Sequence, residues 1–141
     1  MSDRTLRLAV GTLATGGATI AAYLTYARLT HTPIACTTGG CETVQSSRYA
    51  EVASIPVPVL GLAAYLVLLA TAFSTSELAR GGAAAVALAG TAFSTYLLFV
   101  QVAVLDAICH WCLGSDVVMT LLAGAAVARL ASGRRLVLRP G

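Results

Sequence analysis

Gly81–Leu105 reads GGAAAVALAGTAFSTYLLFVQVAVL, twenty-five residues without a charge, closed by Arg80 on one side and Asp106 on the other. A hydrocarbon core about 30 Å thick takes about 20 apolar residues of helix. An isolated strand could not satisfy its backbone in lipid. A β-barrel would alternate apolar and polar residues in segments of about ten, and this run does not alternate. The stretch therefore reads as a helix that crosses a membrane.

Working outward, three more runs follow the same rule. Leu8–Ala27 carries no charge, and Val52–Ser76 lies between Glu51 and Glu77. Leu113–Leu130 is long enough but holds Asp116 near one end and Arg129 near the other. A charge near a helix end can snorkel to the interface, so this run is kept as a span. Pro56 and Pro58 stand where the second span begins, a position at which proline costs no internal hydrogen bond. Gly17 with Ala21, and Gly90 with Ser94, are small pairs that would let helices approach closely. The expected fold is all-α: an integral membrane four-helix bundle with a redox loop between helices 1 and 2. Its spans cover about 8–27, 57–75, 82–105 and 113–130, its outer loop 28–56, and the whole of 1–141 is one domain.

Composition agrees. The chain is 57% hydrophobic and 11% charged, against about 25% charged residues in soluble domains. A chain of 141 residues cannot bury that much apolar side chain within itself, so lipid must cover it. The net charge of +3 comes with no lysine. Nucleic-acid binding would need a basic stripe on an exposed face. Here the arginines sit at the ends of apolar runs, so no nucleic-acid partner is expected. Arg4, Arg7, Arg80, Arg129, Arg134, Arg135 and Arg139 fall on one side of a four-span topology, and only Arg28 and Arg48 on the other. Positive-inside bias then puts both termini in the cytoplasm and the cysteines outside. A cleaved signal peptide over 1–27 fits less well, because the apolar run exceeds a signal h-region of about 7–15 residues. Residues 132–141 read as a short basic tail.

All four cysteines fall on the outer side. Cys36-Thr37-Thr38-Gly39-Gly40-Cys41 is a loop short enough to close on itself, with Gly39 and Gly40 free to take positive φ. A permanent staple and a redox pair are both compatible with that. Cys109-His110-Trp111-Cys112 is a CxxC at the head of the fourth span. A helix N-terminus favours the thiolate, the species that attacks disulfides and acceptors. Two dithiols on one membrane face make a relay. Zinc would more usually be held by two C-x₂-C knuckles, and the loop pair has four residues between its cysteines. A structural or metal-binding membrane protein with non-cycling cysteines is the alternative function. Asp116, one turn after Cys112, and Asp106, three residues before Cys109, could each move protons or mark the membrane boundary. His110 could donate a proton or be a plain spacer.

Cys36-x₄-Cys41, then Val44-Gln45-Ser46-Ser47-Arg48-Tyr49-Ala50, then Ile55-Pro56-Val57 and Gly61, with Cys109-x-x-Cys112 heading the last helix, resemble the vitamin K epoxide reductase family over about residues 8–131. The bacterial branch is most similar. The resemblance implies a four-helix bundle around a quinone (menaquinone, ubiquinone or a vitamin K-like ring). It implies that Cys112 faces the quinone, that Cys109 exchanges with the loop pair, and that Cys36 and Cys41 take electrons from a thioredoxin-like, DsbA-like partner. It also implies that the segment with Ser46 and Ser47 caps the quinone. The expected activity is thiol:quinone oxidoreduction that generates disulfides, in a bacterial inner membrane with the cysteines on the periplasmic side. Many bacterial members carry a fused thioredoxin-like domain. This chain stops at Gly141, so a separate partner protein is expected. Gly114-Ser115-Asp116 stands where vertebrate members have Thr-Tyr-Ala, which favours plain quinone reduction over epoxide reduction. Ser46, Ser47 and Asp116 are the candidate quinone contacts.

Overall fold

The computed structural model describes residues 2–37 and 39–139. Thr38 of the cysteine loop, and Pro140 and Gly141 of the expected tail, lie outside the described residues. Helix α1 spans Asp3–Thr30, α2 Cys41–Ser46, α3 Val57–Thr71, α4 Glu77–Phe99 and α5 His110–Leu138. A 3₁₀ turn at Arg48–Ala50 and a two-stranded antiparallel hairpin lie between α2 and α3. Its strands are β1 (Glu51–Val52) and β2 (Ile55–Pro56).

The helices start where their caps say they should. The Ser2 hydroxyl accepts from Thr5 N–H, and that of Ser76 from Ala79 N–H, with Asp3 and Glu77 in the first turns. On α1 the buried residues are Leu6, Val10, Ala14, Gly17, Ala21, Leu24 and Ala27, three or four apart, one stripe of a helix. That stripe packs against α3 and α5, and α4 packs against α3 and α5 in turn. The core they share contains Val10, Ala14, Tyr65, Leu68, Ala87, Met119 and Leu122. Gly17 faces the Tyr65 ring so closely that a Cβ would overlap it. Gly61 lies opposite Ala21. The small residues thus sit where two helices meet.

Three helical stretches, Asp3–Thr30, Glu77–Val104 and His110–Leu138, are long and apolar enough to cross a membrane. Leu8, Leu66, Phe73, Leu88, Phe99 and Val117 expose large apolar side chains, which water would penalise and lipid accepts. The protein is an all-α membrane protein. The second expected span, 57–75, is shorter as a helix: α3 has 15 residues, about 22 Å at 1.5 Å per residue.

Its early end has a physical reason. The last carbonyls of a helix lack partners within it, and two arginines supply them. Arg129 Nη1 donates to Thr71 O at 2.8 Å and Arg7 Nε to Ala72 O at 2.7 Å. Arg129 also donates to Ser74 O, and its Nε reaches Asp3 Oδ1 at 3.3 Å. Arg80 meets the same carboxylate at 3.4 Å. Arg129 is 1% exposed. The expectation that it snorkels to the interface is therefore corrected: enough acceptors surround the guanidinium to hold it inside. The expected basic tail is corrected too, since α5 continues through Arg134 and Arg135 to Leu138.

Candidate active site

The cysteines gather beyond the C-terminal end of α1, about 42 Å along that helix from the arginine cluster. Cys36 and Cys41 are bonded, with Cα atoms 6.0 Å apart. Gly39 makes the return at φ +76°. Gly40 does a different job. Its φ is −94°, and a Cβ there would lie 2.6 Å from Ile108 N. It is glycine because the loop presses on the backbone just before Cys109.

Cys41 opens α2 and is fully buried. The residues before Cys36 are tied to the helices without help from the disulfide. Ala35 N–H donates to the Tyr23 hydroxyl at 3.0 Å, Trp111 Nε1 to Ala35 O at 2.6 Å, and Ile34 N–H to Glu42 Oε1 at 3.1 Å. The Tyr23 and Trp111 rings lie 5.1 Å apart. Trp111 is thus a clamp on the loop.

Cys109 and Cys112 are free thiols. Cys109 is the N-cap of α5: its sulfur accepts from Cys112 N–H at 3.4 Å. The Cys112 thiol donates to it at 2.8 Å. That hydrogen bond is the main reason the Cys109 thiol is brought down from 9.0 to about 7; burial opposes it, and the backbone N–H of Cys112 and the Gln45 side chain add to it. His110 Nδ1 stands 3.7 Å from Cys36 Sγ and 3.7 Å from Cys41 Sγ. One residue after Cys109 therefore touches the loop disulfide.

On the other side of Cys112 lies a cavity of about 500 Å³. Its walls are largely apolar, with Leu24, Val57, Leu60, Phe93, Leu97 and Met119 among them. Cys112 and Asp116 face it from α5, Gln45 and Ser47 from the loop, and Tyr65 and Ser94 from α3 and α4. Asp116 Oδ2 and Gln45 Oε1 are buried and without a hydrogen-bond partner among the described residues. Ser46 is not in this wall; it is exposed, and its hydroxyl donates to Glu42 O at 2.7 Å. The Ser47 hydroxyl is spent on Val44 O at 2.8 Å.

Two glutamines, neither expected as a site residue, hold the CxxC. Gln45 Nε2 donates to Cys112 Sγ at 3.2 Å. Gln101, 2% exposed, accepts Cys109 N–H at 2.9 Å. Gln101 is delivered by a π-helical turn, Val100–Val104, at the end of α4, the kind of widened turn that often marks functional positions. Asp106 follows in the left-handed conformation, φ +49°, which aspartate tolerates better than most residues. Arg28 donates to both Gln45 O and the Glu51 carboxylate, and so anchors the segment that carries Gln45. A lone amide inside a charge-free run, as Gln101 is, was the available signal.

Apolar helices carrying two adjacent cysteine pairs, one oxidised and one free, have the parts of a membrane oxidoreductase. The model of the vitamin K epoxide reductase family matches residues 8–127, and the chain belongs to that family. Membership makes it an oxidoreductase of the thiol and quinone type.

Proposed function

We propose that this protein is a four-helix transmembrane thiol:quinone oxidoreductase that generates disulfide bonds outside the cytoplasm. Helices α1, α3, α4 and α5 carry the spans, which cover about 8–27, 57–75, 82–105 and 113–130, and residues 28–56 form the outer loop. The two termini face the cytoplasm. One observation carries the reading: Cys112 lines an apolar cavity while His110, two residues earlier, touches the loop disulfide.

A quinone fits the residues present. About 500 Å³ lies within the range of small-molecule pockets. The walls are apolar, as a ring and an isoprenoid tail require. The unpartnered buried atoms of Asp116 and Gln45 supply the few polar contacts. When bound, a quinone accepts two electrons and two protons. Asp116 is the residue proposed to hold a proton at this site, in place of Ser46 and Ser47, whose hydroxyls are engaged by backbone carbonyls.

The relay begins at the loop. A reduced thioredoxin-like or DsbA-like partner attacks the Cys36–Cys41 disulfide; one sulfur forms the mixed disulfide and the other leaves as thiolate. His110 stands equally near both sulfurs and can donate a proton to whichever leaves. The partner's second thiol resolves the mixed disulfide, so both loop cysteines become thiols. A loop thiolate then attacks Cys109 of the oxidised CxxC. This releases Cys112, held by Gln45, toward the cavity. The second loop thiol re-forms Cys36–Cys41 and leaves Cys109 as a thiolate, the form favoured above about pH 7. That thiolate closes the bond to Cys112 as two electrons depart. The sum is one dithiol oxidised and one quinone reduced.

The test is anaerobic quinone reduction by the purified protein in detergent, driven by a reduced DsbA-like protein, beside Cys112→Ala. Quinol formation lost in the variant supports the relay. No quinol from the unaltered protein, with all four cysteines unreactive, sinks it.

A further inference from the structure

We propose that Cys36, Cys41 and His110 form a Zn²⁺ site in the state where the loop disulfide is reduced, and that the metal holds the protein in that state. The three side chains each offer one ligand atom, all within 4.8 Å of one another. Tetrahedral zinc has Zn–S near 2.3 Å and Zn–N near 2.0–2.1 Å, which puts a sulfur and a nitrogen on one ion about 3.6 Å apart. Both Nδ1–Sγ separations here are 3.7 Å. The histidine already stands at the ligand position for each sulfur. Opening the disulfide lets the two sulfurs part to the roughly 3.8 Å that a shared zinc ion requires.

The ligands are held by contacts that survive reduction. Cys36 follows a segment fixed by Tyr23, Trp111 and Glu42. Cys41 is buried at the start of α2, and His110 is the first residue of α5. A site organised in advance loses little conformational entropy on binding. Three protein ligands leave a fourth position for water.

The chemistry balances. A thiol or phosphine delivers two electrons to Cys36–Cys41 and yields two thiols. Zinc binding releases their two protons. Thiolates shared with zinc can no longer attack Cys109–Cys112, so electron flow stops at the loop.

The arrest of electron flow rests on the loop pair being reduced in turnover; the site itself needs only a disulfide that can be opened, and its test reads metal uptake, not turnover. Cys109→Ser/Cys112→Ser protein, which keeps only the loop cysteines, is reduced with a phosphine and titrated with Zn²⁺ against a chromophoric chelator. One ion per chain is expected, with none taken by the oxidised form. His110→Ala in the same background should weaken binding about tenfold or more, the size that even an outer-shell loss has at zinc sites. Helix content by circular dichroism checks that each variant is folded. No uptake by the reduced protein, equal uptake by folded His110→Ala, or a disulfide the phosphine cannot open overturns the proposal. Quinone reduction without zinc uptake sinks this inference alone. Zinc uptake without quinone reduction sinks the relay and leaves the site standing.

Discussion

The Gln45 side chain donates to the Cys112 sulfur at 3.2 Å across 67 positions of sequence, the one side-chain hydrogen bond that runs directly from the loop to the cavity-facing thiol among the described residues. It favours negative charge on that sulfur. Gln45→Leu should keep the fold and lower quinone reduction about tenfold, as expected for about 1.4 kcal/mol of lost hydrogen bonding to a developing thiolate. Steady-state quinol formation checks it. Unchanged turnover would mean Cys112 needs no donor.

The pH dependence follows from Cys109. Its thiol is lowered to about 7, chiefly by the hydrogen bond from Cys112. The nucleophile is the thiolate, so the step that closes Cys109 onto Cys112 should slow as pH falls through about 7 and level off above it. Thiolate absorbance in protein lacking the loop cysteines should titrate near the same point. Cys112→Ala removes the main cause, and the Cys109 midpoint should rise.

Asp116→Asn removes a titratable oxygen from the cavity wall and keeps its shape. Turnover should fall by about 10²-fold, the low end for loss of a positioned acid or base, while thiol exchange between partner and loop stays intact. Single-turnover kinetics of the two half-reactions separate these effects. Full turnover would rule Asp116 out.

Stability should be concentrated at the other end. Arg129→Leu leaves Asp3 with Arg80 alone, takes one of two donors from the Thr71 carbonyl and uncovers that of Ser74. Leaving a buried acceptor without its donor costs about 1–3 kcal/mol. Unfolding of the variant in detergent should begin at clearly lower temperature, with the cavity residues unaltered. Arg4→Leu, on an exposed side chain, should do little.

The hairpin offers an opposite sign. Ala53 and Ser54 turn between its strands with φ +51° and +68°, a primed turn that ordinarily uses Asn-Gly. An L-residue there costs about 1 kcal/mol or more. Ser54→Gly relieves it, less about 0.5 kcal/mol for the freer unfolded chain. A net gain of about 0.5 kcal/mol should appear as a slightly raised Tm.

What the residues disclosed in advance depended on period and spacing. Long charge-free runs announced helices in lipid, and the cysteine spacing announced the two pairs. The hairpin stayed hidden because Ala53-Ser54 carries no turn signal. Arg129 was misread because its acceptors come from Asp3, Thr71 and Ser74, which only packing brings together. Ser46 and Ser47 drew attention as hydroxyls, yet both are consumed locally by the backbone. Gln45, their neighbour, is the residue that reaches Cys112.

The π turn at Val100–Val104 has a bearing on what this chain can lose. An α-helix advances about 100° per residue, so one surplus residue shifts the phase of everything beyond it. Val102, Ala103 and Val104 are exposed, and nothing in the composition of the stretch marks any of them as needed. Deleting one would rewind the turn and swing Gln101 or the Cys109 backbone away from the other. A single codon in an unremarkable apolar stretch thus sets the rotational register of the CxxC.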